Sequence, residues 1–207
     1  RQMCIRDRDF TDEMIDVIAS YDNIMPFIHL PVQSGDSDIL KIMGRRYTRE
    51  QYLTLFHKIK DRMPNCAIST DIIVGFPNET EEQFQNTLSL VDECQFDNAF
   101  TFIYSKRTGT PAAAKEEQVP EEVVKDRFDR LLKEVQHCAS ERALALTGRT
   151  ESVLVEEVNE QDSSLVTGRL SNNFVVHFPG TAELIGKIVD VKLKECKGFY
   201  FYGEMVV

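Results

Sequence analysis

Phe27-Ile28-His29-Leu30-Pro31-Val32-Gln33-Ser34-Gly35 is the stretch on which the reading of this chain turns. Four mostly apolar residues predict a short buried strand over 27–30, which Pro31 ends by removing a backbone donor from the ladder. Gln33, Ser34 and Gly35 follow where a parallel strand hands over to a helix, and in open or barrel α/β folds ligands sit at that carboxyl end. Downstream the plan repeats. Residues 67–74 form a near-continuous apolar run that suits a strand buried on both faces, and residues 99–104 predict a third strand. Between them, Ile39, Leu40, Ile42 and Met43 mark about two helical turns closed by Gly44. Thr48-Arg49-Glu50-Gln51 and Thr80-Glu81-Glu82-Gln83 fit capping boxes ahead of two more helical faces. Alternating strands and helices imply a parallel sheet, and three strands make either half of a barrel or a small open sheet.

Working outward, a short helix begins after Thr11, a candidate N-cap, and residues 1–8 show no period and read as a disordered or artefactual start. Pro120 opens a long amphipathic helix that runs to about residue 146. From Thr150 the period changes from helical to alternating, with five short apolar runs separated by Asn, Asp, Gly and Pro, which predicts a small antiparallel barrel. The expected fold class is α/β followed by all-β, with an α/β domain over 9–146 and a barrel over 147–207.

The 207 residues carry a net charge of −10, which argues against gripping nucleic acid by bulk electrostatics while leaving room for a few local cations. Residues 150–207 carry five basic and nine acidic residues. No run reaches the length of a membrane span and no cleavable leader is seen, so the expected location is cytoplasmic. The five cysteines are scattered, and none makes a zinc or iron–sulfur spacing with another.

Individual residues allow two readings each. Gln33 and Ser34 are placed to bond a ligand's hydroxyls or to cap the next helix. Asp71 lies inside an apolar strand and needs a partner, for which Arg45 or its neighbour Arg46 is the natural choice, either as a structural pair or as a ligand site. His29 reads as a satisfied core histidine. The loop from Tyr104 to Pro111 suits anion contact or plain solvation. In the barrel, Arg169, Asn172, Asn173, His177, Lys197, Phe199 and Phe201 read either as a strip that stacks on single-stranded bases or as core and hairpins. No catalytic Ser/His/Asp or Cys/His set and no phosphate-binding glycine loop is present.

The motifs His29–Gly35, Met43-Gly44-Arg45-Arg46-Tyr47-Thr48, Thr70–Pro77 with Glu79-Thr80, and Tyr104–Ala112 together resemble the radical S-adenosylmethionine methylthiotransferases. The nearest likeness is to the MiaB type, which adds a methylthio group to isopentenyladenosine beside the tRNA anticodon. The segment from Thr167-Gly168-Arg169 to Gly203-Glu204 resembles that family's TRAM domain. The resemblance implies the C-terminal half of a partial (β/α) barrel followed by a TRAM barrel. It implies S-adenosylmethionine as cofactor, with Gln33 at the ribose, Ser34 beside it, Asp71 and Arg45 paired at the cofactor's edge, and Phe102 and Tyr104 facing the adenine. It implies tRNA, at the anticodon stem-loop, as partner of a protein favoured to be a monomer, with Arg169, Asn172, Asn173 and Lys197 as contacts. The family's two [4Fe–4S] clusters are bound through cysteines that this sequence lacks, since Cys4 alone cannot stand in for them. The chain is therefore expected to be inactive by itself, as part of a longer enzyme. The alternatives are a methylthiotransferase acting on threonylcarbamoyl-adenosine in tRNA or on a ribosomal protein, and a cluster-free RNA-binding module.

Overall fold

A computed structural model describes residues 10–115, 117–198 and 200–206, so residues 1–8, with Cys4, and Phe199 lie outside the described residues. The chain divides into two compact units, the first ending at Cys138 and the second beginning at Ala139, with Met25–Phe27 grouped with the second.

The first unit runs α1 (Asp12–Ser20), β1 (Phe27–His29), α2 (Ser37–Ile42), α3 (Arg49–Arg62), β2 (Ala67–Val74), α4 (Glu81–Cys94), β3 (Asn98–Ile103) and most of α5 (Glu121–Leu144). The strands form one sheet in the order β1-β2-β3, with β2 and β3 parallel in the register Asp71↔Phe100 and Ile73↔Phe102. Local chemistry explains the helix starts. Thr11 accepts from the Met14 amide, and Thr48 with Gln51 and Thr80 with Gln83 close full capping boxes. Alternation along the strands sends Ile28, Leu30, Ile68, Ile72 and Val74 into a core shared with Tyr52, Phe56, Ile59, Phe84, Leu90 and Leu131.

Pro31 does interrupt the ladder, and side chains replace what it removes. Tyr52 donates its hydroxyl to the Leu30 carbonyl (2.8 Å), Tyr47 donates to the Val32 carbonyl (3.0 Å), and Thr70 Oγ1 accepts from the Val32 amide (2.9 Å). Gly35 is required by close approach. A Cβ there would lie 2.5 Å from Thr87 Cα and 2.6 Å from the Asn86 carbonyl oxygen.

The second unit is a closed five-stranded barrel, β4 (Thr150–Val158), β5 (Leu165–Leu170), β6 (Val175–Pro179), β7 (Ile188–Cys196) and β8 (Tyr200–Met205), in the order β4-β5-β6-β8-β7. The expectation of an antiparallel barrel needs one correction, because β6 and β8 are parallel. An odd number of strands cannot alternate direction all the way round a closed ring, so at least one pair must run the same way. Val153, Val155, Val166, Val176, Phe178, Val191, Leu193 and Phe201 fill the interior, with Ala143 and Leu146 packed among them. The last turns of α5 thus pack in the barrel's core, and the second compact unit begins at Ala139.

Candidate cofactor face and nucleic-acid face

The sheet of the first unit has its core face covered, while its other face carries His29, Ser69, Asp71, Ile73, Phe100 and Phe102 in register. Phe100 and Phe102 are about half exposed, at 50% and 49%. A pair of aromatic rings left open on a sheet whose opposite face is buried marks a surface built to be covered by something else. Beside them, His29 Nε2 stands 3.4 Å from Asp71 Oδ2, His29 Nδ1 shares a hydrogen bond with Ser69 Oγ (2.9 Å), and the His29 ring meets Phe100 edge-on at 6.0 Å.

Two expectations change here. Asp71 is partnered by His29 and not by Arg45, and it lies on the open face with about a quarter of its side chain exposed, not sealed in the core. Arg45 is exposed, its amide bonded to the Leu40 carbonyl (2.9 Å) just after the left-handed turn at Gly44, and no described residue pairs with its guanidinium. Arg46 is equally exposed. His29 is thus part of the polar centre of the open face. Its neighbours Ile28 and Leu30 are both core residues, so strand alternation alone puts His29 on the opposite side.

Gln33 has a positive φ of 69° and continues the edge, its amide donating to the Asp71 carbonyl (2.8 Å) and its carbonyl accepting from Ile73 (2.9 Å). Ser34 is fully buried. Its hydroxyl accepts from the Asp36 amide (3.2 Å) and lies 3.5 Å from Thr87 Oγ1, so it is engaged in starting α2. Tyr104, just past β3, packs edge-on against Phe76 at 5.1 Å, and its buried hydroxyl has no hydrogen-bond partner among the described residues.

The turn that follows β2 is fastened from beneath by residues the sequence reading left unassigned. Glu79 and Arg127 are each only 4% exposed. Glu79 Oε2 accepts from the Gly75 amide (3.0 Å) and from Arg127 Nη1 (3.1 Å), and Arg127 Nη1 also donates to the Glu79 carbonyl (2.8 Å). Burial pushes the Glu79 carboxyl above its ordinary value, with the Gly75 amide and Arg127 opposing. Glu81 on the surface is held down to about 2, chiefly by its hydrogen bond from Arg130.

No group of three or more His, Cys, Asp or Glu suited to hold a metal occurs among the described residues. Cys66, Cys94 and Cys138 are free and buried in the core, and burial raises all three thiols, Cys66 and Cys138 to about 11. A cluster needs thiolates. These residues do not fit one.

On the barrel, Arg169 Nε pairs with Glu156 (2.9 Å) and its Nη1 reaches Asn173 Oδ1 (3.3 Å), while Lys197 pairs with Glu195 (2.5 Å). Asn173 takes the left-handed conformation, φ 73°, in the β5–β6 hairpin, and Asn172 Oδ1 accepts from the Phe174 amide (3.4 Å). Phe201 is fully buried, so it leaves the exposed strip suggested by sequence. In its place, Tyr200 and Tyr202, two rings the sequence reading passed over, flank His177, which that strip already included. Once Phe201 faces inward, alternation turns both tyrosines out.

The comparisons agree with this architecture. The radical SAM superfamily model matches residues 2–91 and the TRAM domain model residues 145–206. A tRNA-2-methylthio-N(6)-dimethylallyladenosine synthase of Lachnoclostridium phytofermentans is 55% identical over 206 residues, covering 100% of this chain and 45% of that protein. A protein of the same name from Staphylococcus haemolyticus is 52% identical over 195 residues, covering 94% of this chain and 38% of that protein. The chain thus spans less than half the length of these curated relatives. Among solved structures, coproporphyrinogen III oxidase (HemN) of Escherichia coli, a radical SAM enzyme, superposes with a TM-score of 0.56 at 15% identity, covering 81% of this chain and 45% of that one, which is a likeness of fold. The first part of the chain thus matches the radical SAM superfamily and the second part the TRAM domain, and across both the chain is similar to tRNA-2-methylthio-N(6)-dimethylallyladenosine synthases.

Proposed function

We propose that this chain is the cofactor-facing and RNA-facing part of a tRNA methylthiotransferase acting on N6-dimethylallyladenosine, the isopentenyladenosine beside the anticodon. The observation that carries the reading is the 55% identity to a synthase of that name across 206 residues. When bound, S-adenosylmethionine supplies the radical that opens the adenine C–H bond and the methyl group that is transferred.

The open sheet face suits that cofactor in its donor set. The Phe100 and Phe102 rings offer the flat apolar surface an adenine needs. Asp71 offers a carboxylate that accepts from ribose hydroxyls, and His29, anchored by Ser69, fixes which way that carboxylate points. Gln33 at the strand end contributes its amide, and Arg45, with no ion pair among the described residues, is left to meet the cofactor's carboxylate. Ser34 supports this rim through Asp36 and Thr87, and Tyr104 brings an unpartnered hydroxyl to the adenine end. No step is assigned to the iron–sulfur clusters, because the described residues do not fit one. On the barrel, Arg169 and Lys197 meet tRNA phosphates, with Asn172 and Asn173 presenting the hairpin's amides. Their ion pairs are exposed and exchange readily for a phosphate.

The test is deletion of the gene in its host, followed by mass spectrometry of tRNA nucleosides. Loss of the methylthio group from dimethylallyladenosine supports the proposal. Its retention, or loss from threonylcarbamoyl-adenosine instead, overturns it.

A further inference from the structure

We propose that Tyr200, Tyr202 and His177 form a stacking platform on the barrel for unpaired RNA bases, an inference that rests on the tRNA reading and names the surface that carries it. The three rings form one cluster, with His177 5.1 Å from Tyr200 and 5.9 Å from Tyr202, and the two tyrosines 5.7 Å apart. The sheet puts them on one outer face. His177 is in register with Tyr202 on one side and Thr167 on the other, and Tyr200 shares its row with Val175 and Arg169. Tyr202 remains 37% exposed although nothing in this unit needs an aromatic ring there, since the core is already filled from the opposite face by Phe178 and Phe201.

What distinguishes this cluster from a simple apolar patch is its polar rim. Asn159 Nδ2 donates to His177 Nδ1 (3.0 Å) and Thr167 Oγ1 lies 3.0 Å from the same nitrogen, which leaves the ring proton on Nε2, free to donate. Burial holds the ring below its ordinary pKa, so it is neutral at pH 7 and acts as a flat donor-bearing surface. At the edges stand two cations, Arg169 in the Tyr200 row and Lys197, whose amide donates to the Tyr200 carbonyl (2.8 Å). Flat rings with hydrogen-bonding edges, flanked by a small number of cations, suit splayed single-stranded bases joined by phosphates. The acids nearby, Glu156, Glu157 and Glu195, argue against a duplex held by backbone charge.

The experiment measures binding of a fluorescent anticodon stem-loop RNA to the 207-residue chain. A second RNA carrying 4-thiouridine in the loop is crosslinked to the wild-type chain and mapped by mass spectrometry. Tyr202→Phe should bind as wild type, whereas Tyr200→Leu with Tyr202→Leu should bind roughly 5- to 150-fold more weakly for each base that loses its stack. Crosslinks should fall on Tyr200, Tyr202 or His177, a result that does not depend on any variant folding. Wild-type binding that is unchanged in the Leu variant, or crosslinks confined to other strands, would overturn the platform and leave the tRNA reading standing. Absence of wild-type binding would overturn both. A chain that self-associates through these tyrosines and ignores RNA would assign the face to a second copy.

Discussion

Arg127→Leu should destabilise the first unit more than any surface change could, and should do so in a pH-dependent way. Arg127 is the only cation that reaches the buried Glu79 carboxylate among the described residues, through Nη1 at 3.1 Å, and it also satisfies the Glu79 carbonyl at 2.8 Å. Glu79 Oε1 is buried with no hydrogen-bond partner among the described residues, so after the substitution only the Gly75 amide, at 3.0 Å, would support the charge. Removing one member of such a pair costs about 3–5 kcal/mol at neutral pH, because the remaining charge is left uncompensated. Burial already raises the Glu79 carboxyl above its ordinary 4.5 in the wild type, and loss of Arg127 raises it further. A carboxyl whose folded-state pKa is raised binds more protons folded than unfolded. Its burial is therefore tolerated below 4.5, and stability is lost as pH climbs from there through the raised value. The variant should recover part of its deficit at about pH 5, and Glu79→Gln in the Arg127→Leu background should recover part of it at pH 7. Urea unfolding followed by far-ultraviolet circular dichroism reads this directly, since the helices are carried by α1 to α5. A loss under about 1 kcal/mol, or equal losses at both pH values, would refute the reasoning.

Other substitutions separate packing from binding. Gly35→Ala drives a methyl group to 2.5 Å from Thr87 Cα, backbone that cannot swing aside, and should cost about 2–3 kcal/mol in the same urea measurement. Asp71→Asn should change stability by less than about 1 kcal/mol, since its partner His29 is a quarter exposed, while weakening S-adenosylmethionine binding in equilibrium dialysis. RNA binding should be shallow in its salt dependence, because Arg169 and Lys197 are the two cations that flank the proposed platform. Two phosphate contacts on a single strand give a slope of about −1.4 in log affinity against log salt, and a slope several times steeper would point to a different, charge-driven surface.

Much of the architecture was legible residue by residue. Pro31 and Gly44 announced where β1 and α2 stop, both capping boxes form as written, and β2 occupies Ala67–Val74 as its apolar run requires. Alternation also held the answer for His29, which lies between the core residues Ile28 and Leu30, and for Tyr200 and Tyr202, which lie on either side of the buried Phe201. Chemical expectation, a lone histidine being a core residue, outweighed that pattern. Two features needed tertiary information. Which residue stands beside Asp71 depends on the lateral register of β1 against β2, which no local motif encodes, and Arg45 was the nearer guess only by strand-end logic. The Glu79–Arg127 pair joins residues 48 apart in sequence, and neither carries a local sign that it will be buried.

The central claim is that the uncovered face of β1, β2 and β3 is where S-adenosylmethionine sits. The most direct measurement is a titration of S-adenosylmethionine into the isotopically labelled chain, read by NMR, which detects weak binding without requiring the clusters. Shifts concentrated on His29, Gln33, Asp71, Phe100 and Phe102 are the predicted result. Shifts on the helical side of the sheet, or none at millimolar cofactor, would contradict it.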